Sequence, residues 1–268
     1  MRPVAPLPSV DLSPASDCGV CGASSPSLLG RKEFSRTGND HFAGARQFAD
    51  TGVHIPYHRC RDCGAVFTAA FDAWSRQDFA LHIYNDDYLF SDPPFESERP
   101  LRNAAIVAGI WHYEQDSRSV IDYGGGNGRL AAELRARGFD ALSYDAFHDS
   151  EPPANRRFGL VCSFEVIEHV PHRDQAGWIA GFAALMAPSA VGLLGTELVT
   201  EPANIEHWYF FPAQRPHYRA YTAQSAATPG AARAGCGDHR QRSASGAADP
   251  LIRPRMRVIA FLQDIAPC

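Results

Sequence analysis

No stretch of this chain approaches the roughly 18 consecutive apolar residues that a membrane-spanning helix needs. Residues 1–10 hold one arginine and three prolines but no apolar run of the kind a secretion signal carries. The expected location is therefore cytoplasmic, with no membrane partner. Basic charge is also in short supply: the formal net charge is −5 and the pI about 6.1, which argues against nucleic acid as a partner and leaves a small molecule as the expected one. An even, disulfide-like set of cysteines is missing too, since seven cysteines without a secretion signal do not make a disulfide framework. No internal repeat is evident. What remains is a chain with 45% apolar residues, enough for one medium α/β domain and a small accessory unit.

Four regions differ in character. Residues 1–70 are rich in Gly, Pro, Ser and Cys and offer only short β-like runs such as Ala65-Val66-Phe67-Thr68, so they predict a small module with little core of its own. Residues 71–115 read as a linker and a helix, because apolar residues at 101, 104, 105, 107, 108 and 111 follow helical spacing. Residues 116–212 alternate strands at 119–122, 141–144, 160–164 and 191–198 with helices at 129–137 and 178–186, the signature of βαβ units on a parallel sheet. Residues 213–268 form an Ala/Arg-rich tail whose net charge is +5, against −10 for residues 1–212.

Four of the cysteines fall in two C-x-x-C-G turns, Cys18-Gly19-Val20-Cys21-Gly22 and Cys60-Arg61-Asp62-Cys63-Gly64. Each turn presents two thiolates to one ion, and the glycine lets the turn close. Together they predict a zinc-ribbon-like module with a closed, structural Zn2+ site. The 38-residue insertion between the turns holds His41, His54 and His58 as competing ligands, and redox thiols or free cysteines are the alternatives to a metal. Cys162, inside a predicted core strand, reads as a small buried hydrophobe.

The sharpest signal is Val120-Ile121-Asp122-Tyr123-Gly124-Gly125-Gly126-Asn127-Gly128-Arg129-Leu130, a strand ending in D-x-G-x-G-x-G and running into a helix. Glycines at 124, 126 and 128 let the backbone turn tightly and approach a nucleotide-like ligand that side chains would block. A dinucleotide fingerprint needs its third glycine at 129, where Arg129 stands. That mismatch favours S-adenosylmethionine over a nicotinamide dinucleotide. Asp122 is suited to the ammonium of the methionine end, and Asp145, after the next strand, to the ribose hydroxyls.

Three further segments join these: Ile83-Tyr84-Asn85-Asp86-Asp87-Tyr88, Ser143-Tyr144-Asp145-Ala146-Phe147 and Ser163-Phe164-Glu165-Val166-Ile167-Glu168-His169-Val170. With them the chain resembles the class I S-adenosylmethionine-dependent methyltransferases, in particular a bacterial group in which a cysteine zinc module precedes the methyltransferase domain. The likeness covers about residues 15–212. It implies a Rossmann-like α/β sheet and binding of S-adenosylmethionine by Asp122, Gly124, Gly126, Asn127, Gly128, Asp145, Phe164 and Glu165. The same likeness implies acceptor-side roles for Glu168 and His169. In-line methyl transfer to an oxygen or nitrogen acceptor also needs a proton removed, for which His169 is the first candidate and Glu168 the second. The competing reading is that both residues cap and orient the next helix. Tyr84 and Tyr88 are placed either to close over the cofactor or as plain surface turn residues. The third strand of the usual sheet is hard to find between Phe147 and Phe158.

Beyond Glu206-His207-Trp208-Tyr209-Phe210 the likeness stops. Residues 212–218 are encodable by codons that, read one base later, give Pro-Arg-Asn-Gly-His-Ile, the segment expected in the resembling group. Together with the charge break, this points to a frameshift near codon 212; the competing reading is a natural Ala/Arg-rich tail that does not pack. Such a change leaves a strand edge open after Val199, and the strand-like run at 257–262 is the only nearby candidate to cover it. Three functional readings follow: a methyltransferase acting on a small molecule or a biosynthetic intermediate, a non-catalytic protein that binds the cofactor and a partner, and an inactive truncated methyltransferase.

Overall fold

The computed structural model describes residues 1–24, 26–96, 98–111, 118–149, 151–197, 219–220 and 257–263. Two sheets organise them. The first is antiparallel: β1 (Ser27–Glu33) pairs with β2 (His54–Arg59), then come β3 (Val66–Phe67) and β8 (Arg219–Ala220). The second is parallel, in the order β5 (Asp140–Tyr144), β4 (Ser119–Tyr123), β6 (Phe158–Phe164), β7 (Met186–Glu197) and β9 (Arg257–Gln263).

The first sheet corrects the expectation of a core-poor module. Phe34, Ile55, Tyr57, Val66, Phe71, Trp74, Phe79 and Ile83 pack into one buried cluster, so this core draws on residues well past 70. Phe71 and Trp74 meet edge to face with ring centroids 4.9 Å apart. The 38-residue insertion contributes Phe34, Ile55 and Tyr57 to this core, and polar groups pin its turns. Glu33 accepts hydrogen bonds from the backbone N–H groups of Ser35 (2.7 Å) and Thr51 (2.6 Å), and Arg46 pairs with Glu33, Asp40 and Asp50. Only short pieces read as strand in the sequence, because Gly30 and Pro56 interrupt the two long ones and a bulge at Leu29 breaks the alternation.

Besides α1 (Asn39–Phe42) within the insertion, three helices lead from this sheet to the next: α2 (Arg76–His82), α3 (Tyr88–Ser91) and α4 (Glu98–Trp111). Helix α2 starts at a capping box in which Ser75 and Asp78 satisfy each other's backbone N–H groups.

The parallel sheet is buried on both faces, which is why its strands read as near-continuous apolar runs. Val120, Leu160, Cys162, Val191 and Leu193 pack against α4 and against α5 (Arg129–Ala136), while Ile121, Val161 and Phe158 face Phe182 and Leu185 of the α6 side (His172–Ala184). Cys162 is fully buried, as expected of a small hydrophobe. The largest boundary differences from the sequence reading are at α6 and β7. Helix α6 begins at His172, six residues early, because Pro171 fixes its start, and Met186 opens β7 instead of closing the helix. Among the described residues no strand lies between β5 and β6, so β5 forms one edge of the sheet. The run at 257–262 does lie on the other edge: β9 pairs with β7 in parallel from Val191–Arg257 to Glu197–Gln263. The aromatic stretch 206–210, the frameshift point and most of the tail lie outside the described residues.

Candidate cofactor and acceptor site

Ligands bind at the carboxyl ends of strands in sheets of this kind, and here the carboxyl ends of β4, β5 and β6 bring the predicted residues together. The glycine-rich turn after β4 is held from β5. Gly124 and Gly125 donate backbone hydrogen bonds to the carbonyl of Tyr144 (2.7 and 3.1 Å), and Gly126 donates to the Asp145 carboxylate (3.0 Å). The other Asp145 oxygen accepts from the backbone of Phe147 (2.8 Å). Gly124, Gly126 and Gly128 all have φ between 53° and 90°, the left-handed region that favours glycine. Asn127 is exposed, and its side chain accepts from the backbone of Arg129 (3.1 Å), closing the turn into α5.

Gly125 was not singled out in the sequence, yet it is the most constrained of the run. A Cβ there would lie 2.2 Å from Ser143 Oγ and 2.5 Å from Asp122 Oδ2. The signal was present as the middle member of three consecutive glycines. Asp122 itself is buried beneath the turn, and burial, with the charge of Asp145 added, pushes its carboxyl up to about 7. A buried carboxylate beside a turn with no side chains is chemically suited to the ammonium of an amino-acid ligand, and such a cation would restore its ionised form.

An aromatic wall closes the other side. Tyr84 lies on Phe147 with ring centroids 4.3 Å apart, Tyr88 meets Phe95 edge to face at 5.1 Å, and Phe95 touches the glycine turn so closely that a Cβ on Gly126 would lie 2.5 Å from its ring. Burial raises both tyrosine hydroxyls, and Asp145 and Glu168 act on both in the same direction. Phe95 and Phe147 were not named as site residues in the sequence. Phe95 carries no motif of its own and is recognisable only once the turn it covers is known, whereas Phe147 closes the marked segment Ser143–Phe147 without being singled out in it.

The segment after β6 is held in an unusual backbone. Glu165 has φ 55°, the one non-glycine residue with positive φ among the described residues, and its N–H donates to Gly195 of β7 (2.8 Å). The turn presses Val166 onto Gly124, where a Cβ would come within 2.6 Å of it. Glu168 follows in the helical turn Ile167–His169 and is 1% exposed, while Glu165 and His169 are half-buried. Burial raises the Glu168 carboxyl well above the usual range, with Glu165 adding to it, and burial also raises Glu165 against the pull of Arg99. The ring of Phe164 packs against Gly195 of β7 and the cluster under α4 and α5.

In the first sheet the sulfurs of Cys18, Cys21, Cys60 and Cys63 all lie within 4.8 Å of one another, with Cys18–Cys63 at 3.7 Å and Cys21–Cys60 at 3.6 Å. A tetrahedral zinc with Zn–S bonds of about 2.3 Å requires S···S edges of roughly 3.8 Å, so the donor set fits that ion. The two turns are near copies. Gly22 and Gly64 have φ of 75° and 74°, each donates to the carbonyl of the first cysteine of its turn, and the N–H groups of Cys18 and Cys60 each bond 2.8 Å to the carbonyl after the glycine. His58 is not part of the cluster: its Nε2 accepts from the backbone of Ala15 (3.2 Å). His54 is exposed on β2, and the His41 side chain lies outside the described residues.

A parallel α/β sheet with a glycine-rich turn at the carboxyl ends of its strands is the architecture of a class I methyltransferase. The family model of the methyltransferase domain matches residues 95–228, half of the chain, and the protein belongs to that family. This assignment implies S-adenosylmethionine as the methyl donor. No curated protein matches the chain. Among the described residues no helix is long and apolar enough to cross a membrane.

Proposed function

We propose that this chain transfers a methyl group from S-adenosylmethionine to a small molecule or a biosynthetic intermediate by in-line displacement. The observation that carries the reading is the glycine turn, locked by Tyr144 and Asp145 with Asp122 buried beneath it. When bound, the cofactor supplies an electrophilic methyl on a sulfonium. The chain's own part is to hold and align. Asp122 takes the amino-acid end, Asp145 the ribose, the turn at Gly124–Gly128 admits the close approach, and Tyr84, Tyr88 and Phe95 exclude water. The acceptor then lies toward Glu168 and His169, the two candidates for taking its proton, with Glu165 on the cofactor side. The four cysteines hold a structural zinc that stabilises the N-terminal sheet and takes no part in chemistry, since all four positions are filled by sulfur.

Titration of the purified protein with S-adenosylhomocysteine by calorimetry, with Asp145→Ala alongside and a metal assay on the same sample, tests this. Micromolar binding lost in the variant, with about one zinc per chain, is the expected result. No binding by a folded, zinc-loaded protein would sink the reading and leave an inactive truncated enzyme. The tail from residue 213 is, on the same proposal, a frameshifted replacement of the native terminus, and sequencing that finds no intact alternative frame downstream of codon 212 would reject it.

A further inference from the structure

The turn after β6 spends backbone strain to bring two carboxylates together. Glu165 sits in the left-handed region at φ 55° and stands half-buried at the opening, and Glu168 lies behind it, 1% exposed. Neither Glu168 oxygen has a hydrogen-bond partner of normal geometry. Its polar neighbours are Glu165 and the Thr196 hydroxyl of β7. Strained positive-φ positions persist where the surroundings over-determine them, and they cluster at working sites. A buried carboxylate without a well-formed hydrogen bond is costly unless it is protonated or meets a cation.

We propose that Glu165 and Glu168 form a single acid–base unit that carries one shared proton at neutral pH and receives the proton of a hydroxyl acceptor. Two carboxyls in one desolvated place cannot both ionise, so they hold one proton between them. The charges acting on the pair are Arg99 and Arg102 of α4, and the neutral phenols of Tyr84 and Tyr88 lie within reach of Glu168. Arg99 is already paired with Asp92, so the pair keeps a net negative charge that Arg102 only partly offsets. A pocket of that sign would hold an amine as its ammonium, which has no lone pair to give. A hydroxyl arrives neutral. Its oxygen lone pair forms the new bond to the methyl carbon while the carbon–sulfur electrons go to sulfur, and its proton passes to the ionised carboxylate of the pair. His169 then positions the turn and is not the base.

The inference rests on the methyltransferase reading, and the test separates the two. Infrared difference spectra of the full chain saturated with S-adenosylhomocysteine are recorded as a pH titration for wild type, Glu165→Gln, Glu168→Gln and, to assign any second band, Asp122→Asn. The expected result is one protonated-carboxyl band at pH 7 that Asp122→Asn retains and each glutamine variant loses. Absence of S-adenosylhomocysteine binding by wild type defeats the underlying reading. Binding without that band, or a band kept in both glutamine variants, overturns the shared proton alone. Should one glutamine variant fail to fold, loss or retention of the band in the other decides. Magnesium added to the wild-type complex is expected to change nothing; a shift of the carboxylate bands with magnesium would make the pair a divalent-cation site and overturn the proposal. An acceptor found to be methylated at carbon or at an amine nitrogen would overturn the assigned role.

Discussion

Asp122 is held where a carboxylate is least stable, under the glycine turn and near the charge of Asp145, and its carboxyl titrates near 7 instead of the ordinary 3.8. A raised pKa means that the folded chain binds a proton the unfolded chain has already lost. Stability from this group is therefore full below about pH 4 and falls as pH rises through 7, by an amount on the order of 2–4 kcal/mol. Asp122→Asn is expected to flatten that dependence in thermal melts of the ligand-free protein between pH 5 and 8 while weakening S-adenosylhomocysteine binding. A variant that melts with the wild-type pH slope would show that Asp122 is not the titrating group. Gly125 makes a second case at this scale. Gly125→Ala drives a methyl into Ser143 and Asp122 and should cost about 1–3 kcal/mol, with a loss of at least tenfold in S-adenosylhomocysteine affinity. Gly177→Ala in α6, where a Cβ meets nothing within 4 Å, should instead gain roughly 0.5–1 kcal/mol. Equal denaturation midpoints for the two variants would refute the steric account.

At the scale of elements, the two cysteine turns show how a local signal fixes a distant contact. Each turn closes by itself through its glycine, yet the sulfurs meet only because β1 and β2 of the insertion pair and return the chain to its starting point. Burial raises the thiols of Cys18 and Cys63, so without an ion both stay protonated, and metal binding must displace those protons. Zinc affinity should therefore rise with pH, and removal by a strong chelator should unfold the first sheet before the second. Tryptophan fluorescence reads this, because Trp74 lies in the first core and Trp178 against the second. Simultaneous loss of both signals in a zinc-free sample would show one cooperative unit instead. The chemistry-bearing turns were legible in the sequence because glycine, aspartate and cysteine are there for backbone or ligand reasons that spacing alone reveals. The first sheet was not legible, since a proline, a bulge and buried Lys32, Glu33 and Ser35 hide its alternation. The aromatic wall was largely legible: Tyr84, Tyr88 and Phe147 stand in marked segments, whereas Phe95 is an ordinary residue until the fold sets it over the turn.

For the whole molecule, the two sheets are tied together and the late strands cover an edge of each. Arg173 of α6 bonds the Trp74 carbonyl, Arg76 bonds the Asp149 carbonyl (3.2 Å), and Phe147 packs against the first core, so the segment after β5 and the first core share a boundary. Strand β8 pairs with β3, and β9 pairs with β7 over seven residues, Val191 to Glu197. An unpaired β7 would present the backbone of Val191, Leu193 and Leu194 as a template for another chain. A chain ended after residue 220 keeps β8 and loses β9, and it should form concentration-dependent oligomers in sedimentation velocity, while a chain ended after residue 263 keeps both strands and should sediment as the full chain does. Ending after residue 218 removes β8 as well, but β8 is two residues long and should add little to the defect. If the chain ended at 220 sediments like the full one, β9 contributes nothing to the edge, and the parallel sheet must be stable with β7 as its last strand.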